Sequence, residues 1–473
     1  MTHSKKNGIS RRAFIYLSGL LAAGLGSNPK SLAQDLSSKS SKVSEWNKLL
    51  AEINQFPLLE AIFSRRSRRF GWGMEIPKGP MQYKSKLPPI PLDEFERSVI
   101  IASGLGVSGW HHGIPYSAAQ DGLCDYSLRY TGRTFPGAAG IGNVDLFYTD
   151  DSGTYYVSTK DADGKESWAE ETLTNAEHLI KEVEAKTTQI SNERVSPPRA
   201  APHYSAHNLW NGNTEGSTLF IPAANVSEQL LAFLFIVVGS GYTVFDDNNQ
   251  RNAGSLDKFI KDGLIDQKRK YPFSYLEQYV LSTSAVEMGM LGHNMALSLQ
   301  PLGLGGWFYS GINPFSVMGL SASKGIPGLG FDFERKEGWG VPNPVGIEGL
   351  YECYGPPFHA DMRAATESLL EKKYGTGGTY DSKIPGPFRD SNMKGQASRP
   401  NDAIVDCVVE VAQYIYDTYG KFPGTVPSIF VRYYVQAHRL DIDFYDKHFK
   451  SASYLDTHKS NATRWMKKIL NRS

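Results

Sequence analysis

The sequence predicts an α+β fold, and three observations predict it. Helical periodicity dominates the first hundred residues, aromatic-rich strands follow, and helices mixed with short strands fill the rest, without the strict alternation of a doubly wound sheet. No G-x-G-x-x-G follows a strand and opens a helix, so a Rossmann dinucleotide site is unsupported. The composition, 40% hydrophobic, 12% aromatic and 21% charged, is that of a folded protein.

The N-terminus reads as an address. Lys5, Lys6, Arg11 and Arg12 precede any acid, residues 14–25 form a short apolar run, and Ser31-Leu32-Ala33 is a small-x-small cleavage site. Ser10-Arg11-Arg12-Ala13-Phe14-Ile15 resembles the bacterial twin-arginine signal S-R-R-x-F-L; an ordinary secretory signal with a chance arginine pair is the alternative. Ser18, Gly19 and Gly24 weaken the apolar run, which is too short to span a bilayer comfortably. An exported, periplasmic protein is expected, tethered if the signal stays uncleaved. The twin-arginine resemblance implies export in the folded state by the twin-arginine machinery, often with a cofactor already in place. Removing residues 1–33 takes away five of the 50 basic residues and none of the 49 acidic ones, leaving a formal −4. Neither balance implies a nucleic-acid partner.

Residues 44–63 read as helical with a break at Pro57, and residues 92–105 as an amphipathic helix with Leu92, Phe95, Val99 and Ala102 on one stripe. Residues 145–148 and 154–158 flank a hairpin turn. Ser227 is the expected N-cap of an apolar helix around Leu230, residues 284–299 form a helix stopped by Pro301, and residues 402–419 form another. Met288 and Met295 share a helix face and are core by default. Residues 190–217 and 374–400 are irregular and long enough to be binding loops or wrapping arms.

Three groups of residues raise chemical possibilities. Arg65, Ser67 and Arg69 stand at alternate positions after a helix and can bracket one phosphate in charge-assisted bonds; a solvated basic run is the plainer reading. Cys124, Cys353 and Cys407 lack metal-site spacing, and the pairs His111-His112 and His203/His207 lack a carboxylate at helical spacing, so no metal is expected. Cys353 and His359 lie near each other in sequence without a visible third partner, which favours a structural role.

Four blocks in order resemble the nitroreductase-like FMN flavoproteins, nearest the dehydrogenases that oxidise azolines to azoles. They are Arg65-x-Ser67-x-Arg69; Arg133-Thr134-Phe135-Pro136-Gly137-Ala138-Ala139-Gly140 running into Val144; Gly292-His293-Asn294 through Leu302 to Gly311; and Asn313-Pro314-Phe315-Ser316 through Leu320, followed by Leu329-Gly330-Phe331. The resemblance implies a mixed sheet surrounded by helices, bound FMN and a homodimer. It implies that Arg65, Ser67 and Arg69 hold the FMN phosphate and that Pro136, Gly137 and Ala138 approach the pyrimidine edge. Tyr309, Ser310 and Gly311 would present amides near N5, and Arg335 or Lys336 a second phosphate contact. Gly137 replaces the usual serine, Gly142 an aromatic or histidine, and the pattern does not reach residues 340–473.

The expected organisation is a signal at 1–33, an FMN domain at 45–340 with an insertion near 160–217, and an extension at 341–473 wrapping the core or a partner subunit. Within that extension, residues 436–445 either close a pocket over a flavin face or pack on a second copy. The expected activity is hydride transfer between a small-molecule or peptide substrate and flavin N5, with no catalytic residue singled out. A flavin- or ligand-binding protein of the same fold without turnover is the alternative.

Overall fold

Pro57 separates two helices, α1 (Pro29–Asn54) and α2 (Leu58–Ser64), as its position suggests. These belong to a computed structural model that describes residues 29–112, 114, 131–137, 141–159, 169–381, 383–390, 393 and 399–470. Residues 1–28 of the signal expected at 1–33, Cys124 and Ala138 lie outside the described residues. Helix α3 (Glu94–Leu105) opens on a capping box. The Asp93 carboxylate accepts from the Glu96 amide at 2.9 Å, and Glu96 accepts from the Asp93 amide at 3.1 Å.

Strands β1 (Val144–Asp150) and β2 (Gly153–Val157) form the expected hairpin, and β3 (Thr187–Ser191) pairs with β2. Strand β4 (Thr218–Asn225) leads into α4 (Val226–Gly239). The cap of α4 is Asn225, not Ser227: Asn225 Oδ1 accepts from the Glu228 amide at 3.2 Å and from the Ser227 hydroxyl at 2.6 Å. Helix α5 (Phe273–Leu302) starts well ahead of residue 284 and takes Pro301 into its final turn, ending at left-handed Gly303 with φ 68°. After β5 (Leu304–Tyr309) come α6 (Asp402–Tyr419), β6 (Ile429–Phe430), β7 (Tyr434–Arg439), α7 (Ile442–His448) and α8 (Asp456–Leu470).

The main sheet runs β5-β7-β4-β1-β2-β3, with β6 beside β4, and every pairing in it is antiparallel. The α+β class is as expected, but the mixed sheet is not. The described parallel pairing lies in a separate small sheet, between residues 242–246 and 266–272. The pleat sends alternate residues to opposite faces. Leu146, Phe220 and Val435 pack with Phe95 and Val99 of α3 and with Met288, Leu291 and Met295 of α5. Phe147, Leu219, Ile221 and Tyr434 pack on the other side against Phe331, Val345 and Tyr351. No helix among the described residues is long and apolar enough to cross a membrane.

The boundary expected at residue 340 does not separate two folding units. Strand β7 lies inside the sheet, bonded to β5 on one side and β4 on the other. Beyond it, Glu96 is fully buried and takes Arg439 at 2.8 Å, Arg464 at 2.9 Å and the Asn461 amide at 3.0 Å. Burial alone would raise the Glu96 carboxyl; the two guanidiniums, Arg439 foremost, hold it well below the usual carboxylate range.

Candidate functional site

The segment after α2 runs extended along the sheet edge. The Gly306 amide donates to Arg68 O at 2.9 Å, and the Trp72 amide to Arg439 O at 3.0 Å. Extended backbone alternates its side chains, so over residues 67–70 Arg68 and Phe70 turn inward while Ser67 and Arg69 face out; Arg65 and Arg66 are both exposed, outside that alternation.

Ser67 and Arg69 line a cavity of about 490 Å³ together with Arg66, Arg68 and Lys450. No carboxylate lines it among the described residues. Arg68 is 2% exposed and spends its donors on neutral oxygens: Ser453 O at 2.9 Å, Gln300 Oε1 at 2.8 Å and Ser64 O at 3.1 Å. Burial lowers its pKa to about 10, so it stays charged at neutral pH. Arg69 lies over the Trp307 ring at 5.7 Å, and Trp307 stacks on Tyr309 at 4.7 Å. A cationic cavity with a buried guanidinium that has no counter-ion among the described residues suits an anion, and the donor set suits a phosphate.

Two of the expected phosphate ligands are displaced from this role. Arg65 does not line the cavity; its carbonyl instead accepts from Arg66 at 2.9 Å. Arg335 follows a short strand at residues 332–334 and is exposed away from it. A further cation on the cavity wall is Lys450, just after α7, in the segment expected to be a wrapping extension.

The remaining residues sit elsewhere. Tyr309 ends β5 with its hydroxyl 3.2 Å from Gln436 Oε1, and burial pushes its phenol well up. Ser310 is exposed, and Gly311 packs so closely on Asn208 that a Cβ there would meet its amide nitrogen at 1.7 Å. Asn208 and Asn211, buried in the long insertion, and the Trp307 indole each keep polar atoms without a protein partner. Pro136 and Gly137 are exposed on the α5 side of the sheet, where a Cβ on Gly137 would meet Glu287 Oε1 at 2.6 Å. They line a second cavity of about 380 Å³ with Trp110, His111 and His112. One chain therefore brings Ser67, Arg69 and the Trp307–Tyr309 pair together and leaves Pro136 and Gly137 on the opposite face.

The Cys353 thiol is buried, pushed up by burial, and directed at carbonyl oxygens of residues 355 and 356. His203 Nδ1 pairs with Ser316 Oγ at 2.8 Å. No cluster of three His, Cys, Asp or Glu suited to a metal occurs among the described residues.

No protein-family model matches the chain, and no curated protein matches it. Among solved structures, a candidate nitroreductase from Ralstonia eutropha JMP134 is similar over 55% of this chain and 71% of that chain, at 12% identity and a TM-score of 0.22. At that score the likeness carries no argument for fold or activity.

Proposed function

We propose that the protein is an exported FMN-dependent oxidoreductase that moves a hydride between an organic substrate and flavin N5. The observation supporting it is the cavity in which Ser67, Arg69 and Lys450 stand beside buried Arg68, with no carboxylate on its wall and no counter-ion to Arg68 among the described residues. FMN, when bound, supplies a ring that takes up or releases a hydride at N5. Ser67, Arg69 and Lys450 hold the phosphate in charge-assisted bonds. Trp307, under Arg69 and stacked on Tyr309, leads from that grip to the end of β5, where the Ser310 and Gly311 amides would orient the ring. The Ser205 amide, donating to Gly311 O at 3.0 Å, ties that end to the long insertion.

Pro136 and Gly137 reach the same ring only if they come from a second copy, because within one chain they occupy the other face. Exposed apolar side chains support a homodimer: Leu58, Leu59, Ile62 and Phe63 of α2, the last 73% exposed, and Val286 and Met290 of α5. Nicotinamide pools are cytoplasmic, so an exported enzyme fits a substrate dehydrogenase or oxidase better than a nicotinamide-driven reductase. A peptide substrate is within the same reading.

The test is the absorption spectrum of the purified protein, with mass spectrometry of the released chromophore. Flavin bands and FMN are expected; a flavin-free protein overturns the reading. A binding protein without turnover is the second reading, favoured by Gly137, which brings no hydroxyl to the site. It is distinguished by full FMN occupancy with no turnover of any donor and acceptor pair.

A further inference from the structure

The cavity beside Arg69 is larger than a phosphate requires. Its volume of about 490 Å³ falls in the range of small-molecule sites. Cations account for one part of its wall, and five aromatic residues, Phe70, Trp210, Phe444, Tyr445 and Phe449, for another. Phe70 and Phe444 stack at 4.1 Å, Trp210 lies 6.1 Å from Phe70 at 29° between planes, and Phe449, 49% exposed, stacks on Tyr445 at 5.5 Å. Tyr309, Ser310 and Gly311 do not line this space. A flavin ring at the end of β5 therefore leaves it open.

We propose that the aromatic half of this cavity is a binding subsite for a second planar aromatic ring, delivered beside an anionic group held at the rim. Flat π-faces bind flat rings by stacking, tolerant of ring identity, and the adjoining cations select rings that carry an anion. The ring belongs either to the nucleotide half of a larger cofactor or to a separate aromatic molecule. Its separation from the flavin rests on the FMN reading; the subsite itself rests on the cavity alone.

Adenosine 5′-monophosphate, ribose 5-phosphate and adenosine are titrated calorimetrically into the full mature chain, flavin-free and FMN-saturated. The monophosphate nucleotide is expected to bind flavin-free protein roughly five- to a hundredfold more tightly than ribose 5-phosphate, the increment of one stacked ring. Trp210→Ala brings the two within about twofold without weakening ribose 5-phosphate. Met81→Trp, which fills the slot from its apolar wall, does the same and guards against a folding defect in the first variant. Equal binding of nucleotide and sugar phosphate to the wild type, or an advantage that survives both variants, overturns the proposal. Adenosine that still binds FMN-saturated protein assigns the ring to a separate molecule. Exclusion of adenosine, with FAD preferred to FMN, assigns it to a larger cofactor. A chain that binds no FMN yet prefers the nucleotide ends the flavin reading and leaves the subsite standing.

Discussion

Arg68 and Arg69 adjoin in sequence and do different work, because an extended backbone sends one inward and the other out. Arg69 faces the cavity with Ser67, whereas Arg68 ties Ser64, Gln300 and Ser453 together. Arg69→Ala and Lys450→Ala are each expected to weaken FMN binding, by about ten- to a hundredfold, the worth of ~1.5–3 kcal/mol in one charge-assisted bond. Arg65→Ala changes affinity little, since Arg65 does not line the cavity. Bound ligand stabilises by mass action, so thermal melts with and without excess FMN check all three. Melts of Arg69→Ala and Lys450→Ala that match wild type and ignore FMN would mean the cations grip nothing. The alternation of Ser67 and Arg69 was legible because period two is local. Lys450 was not, because nearly the whole chain separates it from Arg69 and only the fold joins them.

At the scale of elements, what could be read depended on how each one is buried. Helix α6 matches its expected span because it has a polar face that marks the helical period. The first turns of α5 bury Phe273, Leu276, Glu277 and Val280, and the buried acid blurs that stripe. Strand β7 was missed as a core strand because all six residues of Tyr-Val-Gln-Ala-His-Arg are buried. Three of them are polar, and the partners of Gln436 and Arg439, among them Asn213 and Glu96, lie far away in sequence.

Glu277 gives α5 a further property. Its carboxylate accepts from the Gly424 amide at 2.6 Å, the Thr425 amide at 2.7 Å and the Thr425 hydroxyl, clamping the loop before β6. Burial pushes the carboxyl up to about 7 from 4.5, against those bonds and Lys421, which hold it down in part. The folded chain thus keeps a proton that the unfolded chain releases between those two values. Stability from this group is fullest below about pH 4.5, falls as pH rises toward 7, and is flat above, a change of roughly 3 kcal/mol. Glu277→Gln is expected to remove that slope, measured as the difference between wild-type and variant melts from pH 5 to 8. Parallel pH profiles would show that Glu277 does not titrate in this window.

Across the whole molecule, the C-terminal third is built into the fold. Strand β7 joins β5 to β4, and the Glu96 cluster fastens α8 to α3. Removing one member of such a buried cluster typically costs about 3–5 kcal/mol, a large share of a typical protein's net stability. A chain ended at residue 340 loses both the strand and the cluster, so it is expected not to fold. The proposed export signal adds a second claim to the same test. On the proposed reading, Arg11→Lys with Arg12→Lys is expected to leave a folded, FMN-loaded protein inside the cell, because only the proposed address is altered. The truncated chain keeps the address but lacks the fold that the twin-arginine route carries, and so also stays inside, aggregated or degraded. Cell fractionation followed by thermal melts of the retained material separates the two. A double-lysine variant found in the periplasm at normal levels makes the signal an ordinary secretory one. A truncated chain with a cooperative melt would restore residue 340 as a domain boundary and make β7 dispensable to the sheet.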